Sequence, residues 1–319
     1  MRAGAVTAVE IGQDADVSLD LADDHCTAEG GAKAARQFIM AGVKIVVGFV
    51  CTESIAAALP ILSAENIPVI AVGVRTDSLT DRHVKTGWKV VRLGPRADAE
   101  REAAASILTR LWEAELFAII DDGTIYGREL SESLRLSAEQ AGLKPVFVDT
   151  FRPQLDNQIG LIGRLRKAGA THVFAGGDRE DIAIIARDAT ALETGIVVAG
   201  GETLRAAPGA VPLPAGTLMI ALPEWSELAS PEITKAFADR GIHPEGYVLP
   251  AFAAIEVAST ALAKAEAETK PLADHLYGQE FSTVLGQVSF DEKGDLSENP
   301  YRAFRFNGSK FVPLELPVQ

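Results

Sequence analysis

The sequence predicts an α/β protein of two lobes. Short apolar runs rich in β-branched residues alternate with stretches at helical spacing, and the alternation runs twice, over residues 17–93 and 116–221. At 319 residues the chain is also longer than a typical single core. Small, polar or charged residues follow the runs, and open parallel sheets bind ligands just past the carboxyl ends of their strands. Two such lobes facing each other form a cleft, a favoured place for a small molecule.

The central unit is residues 43–80. Val43–Val50 and Ile67–Val74 are each about the length of a buried strand. Between them Ile55, Ala58, Leu59 and Leu62 recur at helical spacing, and Pro60 inside the stretch predicts a kink or a shortened helix. Strand, helix, strand makes a parallel pair, because the crossover passes over the sheet face. The strand ends read GFVCTES (48–54) and VGVRTD (72–77). Backbone N–H groups at the start of the helix at Thr52 suit a carboxylate or another anion, unless these are two ordinary strand-to-helix loops.

Ahead of this unit, residues 2–11 read as the end of a helix and Val17–Ala22 as a strand ending in DDHC (23–26). Residues 28–41 read as a helix with Ala34, Ala35, Phe38 and Ile39 inward, closed by Gly42. After it come a strand at Trp88–Leu93, a long helix over Ala97–Ala114, a strand at Leu116–Ile120 and the loop 121–127. Helix 128–141, strand 144–150, helix 157–168, strand 171–175, helix 179–191 and strand 195–199 continue the series, and Thr217–Ala221 closes it beyond the Pro/Gly/Ala-rich loop 206–216. The pattern then changes to helices at 230–240, 246–267 and 271–277. The end is antiparallel in character: Gln287–Phe290, a turn at 291–294, then Tyr301–Phe306 and Lys310–Leu314 around Asn307-Gly308, a strong hairpin signal.

Composition narrows the function. Apolar content of 47% and charged content of 23% are those of an ordinary globular chain. A net charge of −14 disfavours nucleic acid and anionic membranes as partners, since both call for basic patches. No apolar run approaches the ~18 residues of a membrane span, so no direct membrane insertion is expected. The first residues carry no basic region followed by an apolar one, so either the protein is cytosolic or a signal and more are missing from this chain. Cys26 and Cys51 each fall just beyond an expected strand end. If those strands are neighbours the two thiols share a rim and can bridge; otherwise they are buried thiols of a cytosolic protein. No metal site is expected, because no CxxC or clustered His accompanies them, and no cofactor is expected either.

No Walker A loop, GxSxG elbow or HExxH appears, and the five His are scattered. Gly176-Gly177 and Gly200-Gly201 lack the spacing of a dinucleotide fingerprint. Asp178 and Glu202 stand at strand ends, where an enzyme uses acid and base, a binder pairs with a ligand ammonium or amide, and a plain fold caps a helix. Arg75, the one cation at the rim of the central unit, either clamps a ligand carboxylate or salt-bridges on the surface. Tyr126 and Tyr247 either stack on a ligand or are half-buried aromatics.

The series DDHC (23–26), GFVCTES (48–54), IPVIAVGVRTDSLT (67–80), DDGTIYG (121–127), AGGDRED (175–181), GGET (200–203) and FDEKGDL (290–296) resembles the periplasmic leucine/isoleucine/valine-binding protein family. These are type I substrate-binding proteins of ABC transporters, and the order and spacing of the segments agree over nearly the whole chain. The resemblance implies the type I periplasmic-binding-protein fold: two Rossmann-like lobes joined by three crossovers, here residues 1–93 with 224–286 and 94–223 with 287–319. It implies closure around a small ligand without catalysis, a permease of the branched-chain amino-acid type as partner, and a periplasmic location. It also implies a disulfide between Cys26 and Cys51. By position, Thr52 stands where the family holds a ligand carboxylate, Gly73 where a backbone carbonyl takes the ammonium, Tyr126 and Tyr247 at aromatic wall positions and Glu202 at the acidic partner of the ammonium. Arg75 replaces a threonine and Asp178 an aromatic, which argues for a polar or charged ligand over a plain aliphatic amino acid. Family members begin with a strand and small-residue loop ahead of the helix in which this chain starts, so an N-terminally incomplete sequence is expected.

Two other classes compete. A cytosolic amide- or amino-acid-sensing regulator of the same fold fits the absent signal, while the paired cysteines favour the periplasmic receptor. A nucleotide-dependent α/β enzyme is disfavoured by the missing phosphate loops.

Overall fold

The computed structural model describes residues 1–12 and 17–315. The chain forms two compact units, Met1–Ala97 with Glu224–Asn299 and Asp98–Pro223 with Pro300–Gln319. The boundaries drawn from sequence put 287–299 with the second lobe. In the structure these residues group with the first unit, because Phe290 is buried beside Phe281 and Asp295 bonds Arg92.

The first unit holds a parallel sheet of β1 (Val46–Gly48), β2 (Val69–Ala71) and β3 (Val90–Arg92), in that order. The strands are apolar on both faces because both faces are covered. On one face Val46, Val69, Ala71 and Val90 pack with Ile55, Ala58, Leu59 and Leu62 of helix Thr52–Ala64 and Ala35 of helix Ala28–Ala41. On the other, Ile70, Val72 and Val91 pack with Ala254, Val257 and Ala261 of helix Val248–Glu268. That helix is 21 residues long and apolar enough by composition to span a membrane, but 56% of its apolar stretch is buried inside the protein, as in a core helix. Helix Thr52–Ala64 runs through Pro60 without ending there; the four-residue apolar stripe is anchored on the sheet while Pro60 itself is exposed.

One expected strand is absent. Val17–Ala22 forms no strand and joins no sheet among the described residues, and β1 is an edge strand. A hairpin that periodicity hid is present instead, β9 (Glu280–Thr283) with β10 (Gly286–Ser289).

The second unit is a seven-stranded sheet. Five parallel strands, β4 (Phe117–Asp121), β5 (Phe147–Thr150), β6 (His172–Gly176), β7 (Val197–Gly200) and β8 (Leu218–Ala221), lie in the order β8-β7-β6-β4-β5. The Asn307-Gly308 hairpin of β11 (Arg302–Phe306) and β12 (Phe311–Pro313) adds to β8 antiparallel. Helices Ala99–Leu111 and Ile125–Gln140 cover one face, and Ile159–Lys167 and Arg179–Ala191 the other.

Candidate functional site

In the first unit the expected residues gather past the carboxyl ends of β1 and β2. Gly48 and Phe49 take positive φ of 147° and 64°, which turns the chain sharply into helix Thr52–Ala64. Thr52 is its exposed first residue, after Cys51 at a cap position that makes no side-chain cap bond. Cys26 and Cys51 form a disulfide with Cα atoms 5.3 Å apart, as the family resemblance implied. The turn that brings Cys26 there is set by two aspartates: Asp23 accepts from the His25 N–H at 2.8 Å and Asp24 from the Cys26 N–H at 3.0 Å. The other Asp24 oxygen accepts from the Ser54 hydroxyl at 2.6 Å, fastening this loop to the same helix.

Gly73 and Tyr247 come together. A Cβ built on the buried Gly73 would sit 2.6 Å from the Tyr247 ring, so the ring lies close against backbone that only glycine leaves open. Arg75 is half-buried, and its carbonyl accepts from the Ala97 N–H at 2.7 Å. The loop carrying it is braced from below by Arg92, which is wholly buried. Arg92 donates from Nε to Asp295 at 2.6 Å, from Nη1 to the Thr76 carbonyl at 2.7 Å and from Nη2 to Thr80 at 2.8 Å. Arg96 closes the network on the second Asp295 oxygen at 2.9 Å and on Asp81 at 3.1 Å. The pull of the Arg96 guanidinium holds the Asp81 carboxyl below its usual range.

In the second unit two of the expected residues, Tyr126 and Glu202, belong to a hydrogen-bonded cluster at the end of β7. Glu202 opens a single turn of 3₁₀ helix, Glu202–Arg205. Its N–H donates to Glu100 Oε1 at 2.7 Å, and the same oxygen accepts from the Tyr126 hydroxyl at 2.6 Å. Glu202 Oε2 accepts from the Tyr301 hydroxyl at 2.6 Å. Burial first, and then the Glu100 charge, push the Tyr126 hydroxyl well above the ordinary tyrosine range, so it is a donor throughout physiological pH. A Cβ on Gly201 would lie 2.5 Å from both Glu100 Oε1 and the Tyr126 oxygen; glycine there is what lets the backbone reach them.

Asp178 acts first as a cap. Its Oδ1 accepts from the Asp181 N–H at 3.0 Å and opens helix Arg179–Ala191, while the residue itself is exposed. Asp181 is buried; Oδ1 accepts from the Gln154 N–H at 2.7 Å and Oδ2 has no partner among the described residues. Burial, followed by the charges of Asp178, Asp122 and Glu180, raises the Asp181 carboxyl above its usual range.

The structure thus joins Gly73 to Tyr247 and Tyr126 to Glu202 through Glu100. Glu100 and Tyr301 escaped the sequence reading, as did the Arg92–Asp295 bond. Glu100 did leave a signal: Ala103, Ala104 and Ile107 follow at helical spacing, so an acidic side chain stood on an apolar stripe.

The family model described as periplasmic binding protein matches residues 1–310. The chain belongs to that family. Among relatives, the "Leu/Ile/Val-binding protein homolog 3" of Brucella melitensis is 26% identical over 99% of this chain and 88% of that protein. A Pseudomonas aeruginosa leucine-, isoleucine-, valine-, threonine- and alanine-binding protein is 26% identical over 96% of this chain and 84% of its own length. Among solved structures, a Desulfitobacterium hafniense ABC transporter substrate-binding protein in complex with Leu superposes with a TM-score of 0.66 at 21% identity, covering 98% of this chain and 95% of that one. A Rhodopseudomonas palustris solute-binding protein in complex with benzoate gives 0.60 at 17% identity, covering 99% and 90%. The fold is the type I periplasmic-binding-protein fold, as the sequence predicted.

Proposed function

We propose that this periplasmic binding protein is the solute receptor of an ABC importer, holding a small polar ligand without turning it over. The observation that carries the reading is the Glu202 carboxylate, fixed at a strand end by the Tyr301 hydroxyl and the Glu100-bound backbone. A positioned carboxylate is suited to a ligand ammonium or amide. The first unit carries strand-end groups of its own, the Gly73 backbone under Tyr247 and the helix start at Thr52, suited to accept from or donate to a small ligand. Arg75 adds a cation, which extends the ligand class from aliphatic amino acids to molecules with a further anionic or amide group. Asp178 contributes less than the sequence suggested, since one of its oxygens is committed to its helix. The relatives that bind amino acids support a permease of the branched-chain type as partner. The Cys26–Cys51 disulfide supports the periplasm over the cytosol.

The test is a thermal-shift screen of amino acids, amides and small carboxylates, followed by calorimetry on Arg75→Ala and Glu202→Gln with the best ligand. Each variant is expected to lose about tenfold or more in affinity, ~1.4 kcal/mol. Affinity unchanged within about twofold removes that residue from the site. Conversion of the ligand to product by pure protein, abolished by a substitution at these positions, sinks the receptor reading.

A further inference from the structure

Helix Thr52–Ala64 is fastened at its start from outside. A helix is ordinarily closed by a side-chain oxygen at the cap position, which accepts from an N–H of the second or third helical residue. Here the cap position is Cys51, and its sulfur is bonded to Cys26. The N–H groups of Thr52, Glu53 and Ser54 make no hydrogen bond among the described residues. Asp24 bonds this turn without capping it. Its Oδ2 accepts from the Ser54 hydroxyl at 2.6 Å, and its Oδ1 accepts from the Cys26 N–H at 3.0 Å. Ser54 is wholly buried, which shelters the bond from water. The loop held in this way is strained, with φ of 47° at His25 and 54° at Cys26. Helix Ala28–Ala41 presses on both partners: a Cβ on Gly30 would run into the Asp24 carbonyl, and one on Gly31 into the Ser54 carbonyl.

The disulfide fixes the residue just before the helix, and a single fixed point leaves a pivot. The Asp24–Ser54 bond fixes the third helical residue, and two points set the direction of the first turn. We propose that Asp24 is a positioning residue of the solute site: through Ser54 it orients the helix start at Thr52 toward a ligand carboxylate and leaves the first-turn donors unoccupied. This rests on the reading that the Thr52 helix start meets the solute. The negative charge of Asp24 opposes a second carboxylate nearby. Its contribution is therefore geometry, and losing the geometry and losing the charge act in opposite directions.

The probes are the proteinogenic L-amino acids, each with its C-terminal amide, titrated by calorimetry into the intact chain. In wild type the best-binding acid is expected to exceed its amide by about tenfold or more. Asp24→Ala and Ser54→Ala are expected to cut that ratio by about fivefold, the worth of one hydrogen bond, while affinity for the amide stays within about twofold. Asp24→Asn keeps both bonds. Its carbonyl accepts from the Cys26 N–H and its NH₂ donates to the Ser54 hydroxyl, which turns to the Cys51 carbonyl 3.2 Å away. It is expected to match or exceed the wild-type ratio. A ratio unchanged in both alanine variants, or lost equally in Asp24→Asn, overturns the proposal and leaves the receptor reading standing. Equal weakening of acid and amide assigns Asp24 to general support of the fold and overturns it too. Absence of saturable binding by every acid, or acid and amide binding alike in wild type, removes the ligand carboxylate on which the proposal stands and overturns it by that route.

Discussion

The two units present their strand-end residues by different means. In the first, the rim is held by covalent and backbone constraints: a disulfide, a glycine under a tyrosine ring, and a buried arginine bracing the loop from below. In the second, it is held by side-chain hydrogen bonds converging on two glutamates. The first device fixes where the chain runs and leaves the side chains at the rim replaceable. The second fixes the side chains themselves, and makes each depend on its neighbours. The same β/α unit supports both, because the sheet sets only where the loops begin.

The contrast can be broken most strongly at Asp295. Asp295→Ala leaves Arg92 buried without its carboxylate, and breaking a buried pair costs about 3–5 kcal/mol. Urea denaturation is expected to lose that much; a loss under about 1 kcal/mol would show that the brace is dispensable. Next is the disulfide. Cys26→Ser with Cys51→Ser opens a link across 25 residues, worth about 3 kcal/mol. Hydrogen exchange should quicken around 17–62 and stay unchanged at β4–β8; equal quickening of both units would end the claim that this constraint is local. Glu100→Ala removes the acceptor shared by the Tyr126 hydroxyl and the Glu202 N–H. The expected cost is about 2 kcal/mol, and adding Tyr126→Phe should return part of it, because one of the two stranded donors is then gone. Strict additivity of the two substitutions would mean that the cluster is not a unit.

The smallest effect expected is a pH dependence at Asp181. Its carboxyl is raised in the fold above the unfolded value of 3.8. The folded state therefore prefers the protonated form; that preference stabilises fully below the unfolded value and is lost as pH rises through the folded one. Asp181→Asn keeps an acceptor for Gln154 without the charge. Its Tm should match wild type near pH 3 and exceed it by about 1–3 °C at pH 7. A gain that is the same at both pH values would assign the effect to packing.

Much of this was legible in the residues. Val43–Val50 and Ile67–Val74 read as strands because both faces of a parallel sheet are covered, and they are. The Asn307-Gly308 hairpin was legible from turn chemistry alone. Val17–Ala22 has the composition of a strand but not the neighbour that makes one, and no local pattern reports a missing neighbour. Glu100 was hidden by averaging: one acidic position in a helix of alternating charge looks solvated until its stripe is counted. Tyr301 gave no signal, since its partner is 99 residues earlier in the chain.

Gly201 has a consequence for how such a receptor changes its ligand over evolutionary time. Any side chain there would enter the gap between Tyr126 and Glu100, and loss of either of those strands the other's hydrogen bond. Single substitutions in this cluster are therefore steps downhill, and a new arrangement has to be reached by coordinated changes. Thr52 and Asp178 make no hydrogen bond to Glu100, so under the proposed function new ligand specificities are most accessible by drift at those two positions around the cluster.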